Sequence, residues 1–403
     1  KNYLIVISDG AWDNPGQVNS KAKQMRIADN IRTFAVGFGL GGSNNNYKNL
    51  AAAGIDGGTP LYAENGTELL AKLRTAIKQA ISQTLTFTTP AIMTDVSKGD
   101  YIYQSTFSYE TDKQWKGSLT KYKLNTDGSF GAEQWDAGDE LNDKNESSRT
   151  IWTTTTGLST TLSNNFTTAN STLLASLIFP NKSSTDAQTQ DLINFVRGID
   201  TYDEDGDGNT TEARHKLGDI YHSEMVVVGP PDSGTEDNGF ANFSKTDSYY
   251  RSQNQYNNFK NGSTCGGPCV DRKEIILAGS NSGMLHAFDT LNGDELWAFI
   301  PPNVLANLSG MVSSKAKSSN AIYGVDGSPI VKDIYYDDTP DNGVYDPVWK
   351  TIVLTGLGAG GHGYFALDIT DTDNPKHLFT FKNNFLPRGG EYLIDENGVR
   401  IKD

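Results

Sequence analysis

The chain is short of the residues from which many catalytic and metal sites are built. It has two cysteines and five histidines in 403 residues. The cysteines, Cys265 and Cys269 in TCGGPC, would need two further ligands to hold zinc, and none stands nearby. A redox pair would normally enclose two residues rather than three. No apolar run reaches the roughly 20 residues that cross a bilayer. Basic residues are outnumbered, 34 against 49 acidic, for a net charge of −15. That balance lacks the basic footprint a nucleic-acid backbone requires. There is neither an initiator Met nor a signal peptide; Lys1 leads directly into NYLIVIS. A near-continuous apolar strand needs neighbours on both faces, so we expect a piece of a longer chain whose first residue says nothing of targeting.

What is present is strand-forming and turn-forming. The chain is rich in Gly, Ser, Thr and Asn, and Tyr and Phe number 18 and 17. Residues 1–83 alternate strand and helix: YLIVISDG, then the helical SKAKQMRIADNIR with Ala22, Met25, Ala28 and Ile31 on one stripe. TFAVGFG, the short helix YKNLAAAG closed by Gly54, the strand PLYAE and the helix GTELLAKLRTAIKQAISQ follow. Such alternation implies a parallel sheet covered by helices, and three strands suit the second half of such a domain.

From about Leu85 the pattern changes to short strands separated by glycine turns, with no long amphipathic helix. EIILAGSNSGMLHAFDTLNGDELWAF and TIVLTGLGAGGHGYFALDITDTDNPKHLFTF share one layout. Each has an apolar strand, a glycine turn, a strand ending in Asp289 or Asp368, another turn and an aromatic strand. WKGSLTKYKLNTDGSFGAEQWDA is a looser third copy. Repeated units of this kind suggest propeller blades. Residues 153–172 and 248–264 are polar and are expected to be surface loops. GLGAGGHG precedes a strand and lacks a Lys-Ser/Thr ending, so it is a blade turn rather than a phosphate loop. The five histidines, His215, His222, His286, His362 and His377, are expected to be hydrogen-bonding residues beside strands, not catalysts.

The sharpest local signal is DTYDEDGDGNTTEARHKLGD, Asp200 to Asp219. Asp203, Asp205 and Asp207 stand at alternate positions and Gly208 follows. Alternate residues of a tight loop can aim carboxylates inward, and a glycine in sixth place permits the bend that calcium loops use. Asn209 would offer its backbone carbonyl and Thr211 a hydroxyl or a bridging water. An EF-hand would place Glu in twelfth position, where this chain has Arg214. Without a cation the clustered acids repel; Ca2+ reverses that sign. A second acidic stretch, Asp337 to Asp346, has its glycine misplaced and is expected to be a hairpin connection.

Several motifs resemble one family. QWKGSLTKYKL, QWDAGDEL with SSRTIWT, FVRGID, KLGDIYHSEMVVVGPP, GSNSGMLHAFDTLNGDELWAFIP, YGVDGSPIVKDIYY and GLGAGGHGYFALDITD occur here in the order seen in the PilC/PilY proteins of type IV pili. The resemblance covers about Thr84 to the end. It implies a mainly β fold: a modified β-propeller over 84–403, truncated before its last blades, preceded over 1–83 by the C-terminal half of an α/β von Willebrand factor A domain. In that domain Asp9 of VISDGAWD would be a metal ligand only in the intact protein, because the Asp-x-Ser-x-Ser loop is absent here. Family members carry a nine-residue calcium loop in this neighbourhood, usually ending in an acid; Thr211 departs from that and Glu212 can compensate.

The resemblance further implies a non-enzymatic surface protein of Gram-negative bacteria at the pilus tip or outer membrane, with tip and minor pilins as partners. Its roles would be pilus biogenesis, calcium-dependent control of extension and retraction, and adhesion to host or matrix surfaces. An extracellular address makes a Cys265–Cys269 disulfide the reading of TCGGPC, since its glycines free the backbone. Two alternatives stand beside this. GMLHAFDTLNGDELWAF also resembles the tryptophan-docking blades of quinone-dependent dehydrogenases, although their cysteines are adjacent. A host-receptor adhesin with no role in assembly is the other, and the chain has no Arg-Gly-Asp.

Overall fold

The computed structural model describes residues 2–9, 12–28, 31–39, 44–55, 58–66, 68, 69, 72, 91–95, 99–180, 184–233, 247–265, 269–339, 343–382, 393, 394, 400 and 401. The chain forms two compact units, Lys1–Leu85 and Thr86–Asp403.

In the first unit β1 (Asn2–Ser8), β2 (Ile31–Phe38) and β3 (Leu61–Ala63) form a parallel sheet in that order. Helix α1 spans Pro15–Ala28 and α2 spans Asn45–Gly54. Helix α1 therefore starts earlier than its apolar stripe suggests, and Ile31 belongs to β2. The reason is local. Asn14 adopts φ +54 and its carbonyl accepts from Gln17 N at 3.0 Å, while Pro15 takes the first helical position, where its missing N–H is not needed. Helix α2 is capped by Asn44, whose side chain accepts from Asn46 N. Ala22, Ala35, Tyr47, Leu50 and Ala51 form the core, with Trp12 edge-on to Tyr47 at 4.7 Å. The expected helix over 66–83 lies mostly outside the described residues.

Among the described residues the second unit holds three sheets of four or five strands and a two-stranded pair, Leu393–Ile394 with Arg400–Ile401. The first is antiparallel: β4 (Ala91–Asp95), β5 (Gly99–Ser108), β6 (Lys116–Leu124) and β7 (Phe130–Asp136). The second runs β8 (Ile151–Trp152), β12 (Glu295–Phe299), β11 (Leu285–Asp289), β10 (Ile275–Gly279), β9 (Val226–Val228). The third is β13 (Pro329–Tyr336), β14 (Val348–Gly356), β15 (Gly363–Asp368) and β16 (Lys376–Lys382). Strands β11 and β15 end at Asp289 and Asp368, as the repeat requires. Each copy also has a register shift near the end of its middle strand, at Lys121/Tyr122, Ala287/Phe288 and Ala366/Leu367.

The sheets stack face to face. Ile275, Leu277, Leu285 and Ala287 of the middle sheet meet Val353, Phe365 and Leu367 of the third. Ile276, Ala278 and Phe288, on the opposite face, meet Tyr103, Leu119 and Trp135 of the first. A strand packed on both faces has no solvent side, which is why IILAG is apolar without alternation and buried at every residue. No shared core among the described residues joins the first sheet to the third. The third sheet's outer face leaves Ile330, Leu354, Tyr364, Phe379 and Phe381 exposed.

Helical structure also decorates the stack, against the expectation of short strands and turns with no long amphipathic helix. Helix α3 spans Ala137–Asp143, α4 Ser171–Ile178 and α5 Asp186–Arg197. Helix α5 carries a capping box, Thr185 with Gln188, and buries Leu192, Ile193, Phe195 and Val196 against Phe166, Leu174 and Met284. Phe166 thus lies in the core although its surroundings in sequence are polar. In the second polar segment α6 (Asp247–Gln253) and α7 (Tyr256–Lys260) form, and Tyr256 and Phe259 are buried against Trp349. The stretch from Asp337 to Asp346 joins the antiparallel pair β13–β14, a hairpin connection.

Candidate metal centre

Helix α5 ends at Gly198, φ +117, whose N–H donates to Asn194 O and Phe195 O at 3.0 and 3.1 Å. A Cβ there would run into the aliphatic stem of Lys216, so only glycine fits. The following loop is pinned at its neck: Ile199 bridges Ala213, Asp200 N donates to Glu212 O at 2.8 Å, and Arg214 N donates to Gly198 O at 2.9 Å.

Within the loop each acid folds the backbone over itself. Asp205 Oδ1 accepts from Asp207 N at 3.1 Å, Asp207 Oδ1 from Asn209 N at 2.7 Å, and Asp203 Oδ1 from Gly208 N at 2.8 Å. Asp203, Gly206 and Gly208 take φ +52, +83 and +91, giving the tight coil that brings alternate side chains together. Carboxylate oxygens of Asp203, Asp205 and Asp207 come within 4.8 Å of one another. Those of Asp200, Asp205 and Glu212 do the same, so Asp205 belongs to both groups. These are the groups of three or more ligating side chains found among the described residues.

The spacing argument placed Asp203, Asp205 and Asp207 together, and they are together. Asn209 stands beside them with its amide nitrogen 3.2 Å from Glu212 Oε2. Thr211 faces inward on itself: its hydroxyl and its N–H both donate to Asn209 Oδ1, at 2.9 and 3.1 Å. Glu212 and the buried Asp200 reach Asp205 instead. Asp200 is the residue linear spacing missed, because it arrives by closure of the neck rather than by alternation. Arg214 does a different task from an EF-hand glutamate. Its Nε pairs with Glu204 at 3.0 Å, its Nη2 donates to Gln114 Oε1 at 3.1 Å, and its guanidinium covers Phe195 at 3.9 Å. Loop and body are tied by that residue.

The electrostatics are those of a site poised for positive charge. The Gly208 N–H, and then the ammonium of Lys317, hold the Asp203 carboxyl below its ordinary value. Desolvation, with Asp207 and Asp205 beside it, pushes Glu212 up. Lys317 Nζ lies 3.0 Å from Asp203 Oδ2 and 2.8 Å from Gly206 O. A cation of this chain's own thus sits on one carboxylate and one carbonyl oxygen, the donor types that calcium takes. The oxygen-only donor set fits a hard divalent cation. Asp9, at the end of β1, is exposed and in neither acidic group.

Cys265 and Cys269 are disulfide-bonded, with Cα atoms 6.0 Å apart. The bridge joins a core of Tyr256, Phe259 and Trp349 rather than a solvated loop. His215 bonds Gly117 O and Asn142, and His377 bonds Thr380. His222 pairs with Asp326 at 2.7 Å. His286 is buried between Ser280 Oγ and Glu295 Oε1, each 2.8 Å away. Glu295 also receives two bonds of 2.8 Å from Arg149, whose Nη1 donates to Arg197 O at 2.9 Å. Burial alone would push the Glu295 carboxyl up, but Arg149 and His286 outweigh it and hold it far below the carboxylate range. Neither Arg149 nor Glu295 stood out in the sequence; they lie in different motifs and meet only across the middle sheet.

Stacked, largely antiparallel sheets with a bulged, Asp-ended repeat define a β-rich protein of propeller type. Residues 217–384 match the family model described as the PilY1 beta-propeller domain. Type IV pilus biogenesis factor PilY1 of Pseudomonas aeruginosa UCBPP-PA14 is 28% identical over 354 residues, covering 84% of this chain and 28% of that protein. Its counterpart in strain PAO1 is 28% identical over 350 residues, with the same shares. A type IV pilus biogenesis factor PilY1 homolog of Xylella fastidiosa Temecula1 is 30% identical over 187 residues, 46% of this chain and 13% of that one. A crystal structure of the Pseudomonas aeruginosa PilY1 C-terminal domain is 30% identical, covers 39% of this chain and 25% of its own, and superposes with a TM-score of 0.25. Over 84% of its length the chain is similar to PilY1 proteins. It spans 28% of the length of the Pseudomonas relatives. No helix among the described residues is long and apolar enough to cross a membrane.

Proposed function

We propose that this chain is a non-enzymatic, calcium-responsive module of a type IV pilus biogenesis factor, working at the bacterial surface in pilus assembly, extension control and adhesion. Its partners in this reading are pilus-tip and minor pilins, and host or matrix surfaces. The observation that carries it is the convergence of two oxygen-ligand groups on Asp205. Asp203, Asp205, Asp207, Asp200 and Glu212 would hold the ion, with Asn209 supporting Glu212. Bound Ca2+ supplies the positive charge that lets these acids stay together. The names of the relatives support the pilus assignment. The parallel sheet β1–β3, with Asp9 at the carboxyl end of a strand, supports the second half of a von Willebrand factor A domain over 1–83.

The mechanism is linkage. An ion that binds the ordered loop better than the open one stabilises the ordered form by RT ln(1 + [L]/Kd). Order there passes to the body through Arg214 and through the neck at Gly198 and Arg214. Asp205→Ala removes the ligand common to both groups. Titration calorimetry should then show no calcium binding while the far-UV spectrum stays that of the folded chain. An unchanged affinity would place the ion elsewhere.

A further inference from the structure

Lys317 reaches the acidic loop from another part of the chain, the connection between Met311 and β13. Its Nζ contacts Asp203 Oδ2 and the Gly206 carbonyl, while the other oxygen of Asp203 is taken by Gly208 N. The backbone carrying it is fixed. Ser319 N donates to Asp112 O at 3.1 Å, and Ser319 Oγ accepts from Gln114 N at 2.9 Å and bonds Glu204. Lys315 pairs with Asp112. Lys317 itself holds φ +56, a left-handed conformation that a lysine keeps only when its surroundings impose it. Its side chain is 55% exposed and so can leave the loop while its Cα stays in place.

We propose that Lys317 is a tethered counter-ion of the loop: it competes with a divalent cation for Asp203 and thereby sets the affinity of the site. This rests on the reading of the loop as a calcium site. With no divalent ion bound, the ammonium offsets part of the repulsion among Asp203, Asp205 and Asp207 and keeps the coil closed. A divalent ion ligated by Asp203 Oδ2 cannot share that oxygen with an ammonium 3.0 Å away. It must displace Lys317, and the work of displacement weakens binding. Displacement also frees a side chain on the segment that grips Asp112, Gln114 and Glu204, so occupancy is felt beside the first sheet.

The test is calcium titration calorimetry on the intact chain and on Lys317→Gln, with melting temperatures in chelator and in saturating calcium. An exposed charge of this kind is expected to change Kd on the order of two- to fivefold. Lys317→Gln should bind calcium tighter by that factor, melt lower than wild type in chelator, and gain more on calcium addition. An unchanged or weaker Kd, with melting lowered equally in both conditions, would make Lys317 a merely structural tether and overturn the proposal. Lys317→Arg, which keeps the charge, should retain the wild-type Kd; tightening in that variant would equally overturn it. Failure of the underlying reading has its own signature, no heat and no thermal shift with calcium in wild type, and the proposal falls with it.

Discussion

Two concentrations of charge lie on either side of one helix end, and the chain handles them in opposite ways. Inside the stack, Glu295 is fully buried and is neutralised by Arg149, which also holds the carbonyls of Val196 and Arg197. One residue further, the Gly198 carbonyl accepts from Arg214 and opens a loop in which Asp205 and Asp207 are exposed to water. Water cannot reach Glu295, so its counter-charge must be covalently part of the fold. Water reaches the loop, so its counter-charge can be exchangeable. The buried pair fixes architecture, and the exposed cluster leaves a variable that the surroundings can set.

The comparison is broken most forcefully from the buried side. Glu295→Gln strands the Arg149 guanidinium in the core and should lower unfolding free energy by about 3–5 kcal/mol, read as a reduced urea midpoint. A loss under 1 kcal/mol would mean the pair is not what holds α5 to the middle sheet.

Asp219 sharpens the contrast, being a buried acid that makes no salt bridge among the described residues. Its Oδ2 accepts from Asn281 Nδ2 at 2.7 Å, and burial pushes its pKa up from 3.8 to about 6. The folded state therefore holds this proton more tightly than the unfolded chain. Its contribution to stability is greatest below pH 3.8 and is lost as pH rises through about 6. Relative to wild type, Asp219→Asn should gain up to about 3 kcal/mol between pH 4 and pH 7, measured by urea unfolding at each pH. Parallel stability curves would show that the carboxyl is better solvated than its place in the fold implies.

The smallest effect is expected in the loop backbone. Gly208 has open space around a would-be Cβ but sits at φ +91, so Gly208→Ala meets strain rather than a clash. A penalty of about 1 kcal/mol should appear as a several-fold weaker calcium Kd with a nearly unchanged melting temperature in chelator. A large fall in melting temperature would mean the loop is part of the cooperative core.

Much of the fold was legible because it is written locally. The three copies of strand, turn and strand fall on β6–β7, β10–β12 and β14–β16, since apolar runs and Asp-ended strands report sheet stacking directly. Helix α5 was missed, although Thr185 and Gln188 stand at capping-box spacing, Leu192, Ile193 and Val196 share one face and Gly198 follows. The candidate site was half legible. Alternation identified Asp203, Asp205 and Asp207, whereas Asp200 and Glu212 meet through the Ile199–Ala213 bridge, which no spacing rule encodes. Lys317, Arg149 and Glu295 were beyond reach, because their partners are distant in sequence and only the stacked sheets bring them near.

The disulfide between Cys265 and Cys269 has a consequence set by its separation of four residues. A crosslink restrains the unfolded chain more as the span it closes lengthens, and this span is almost the shortest available. What it shapes is the small aromatic cluster of Tyr256, Phe259 and Trp349 at the rim of the third sheet. Exposure to a thiol reductant should accordingly loosen α6 and α7 and alter tryptophan fluorescence, while the stacked blades melt where they did before.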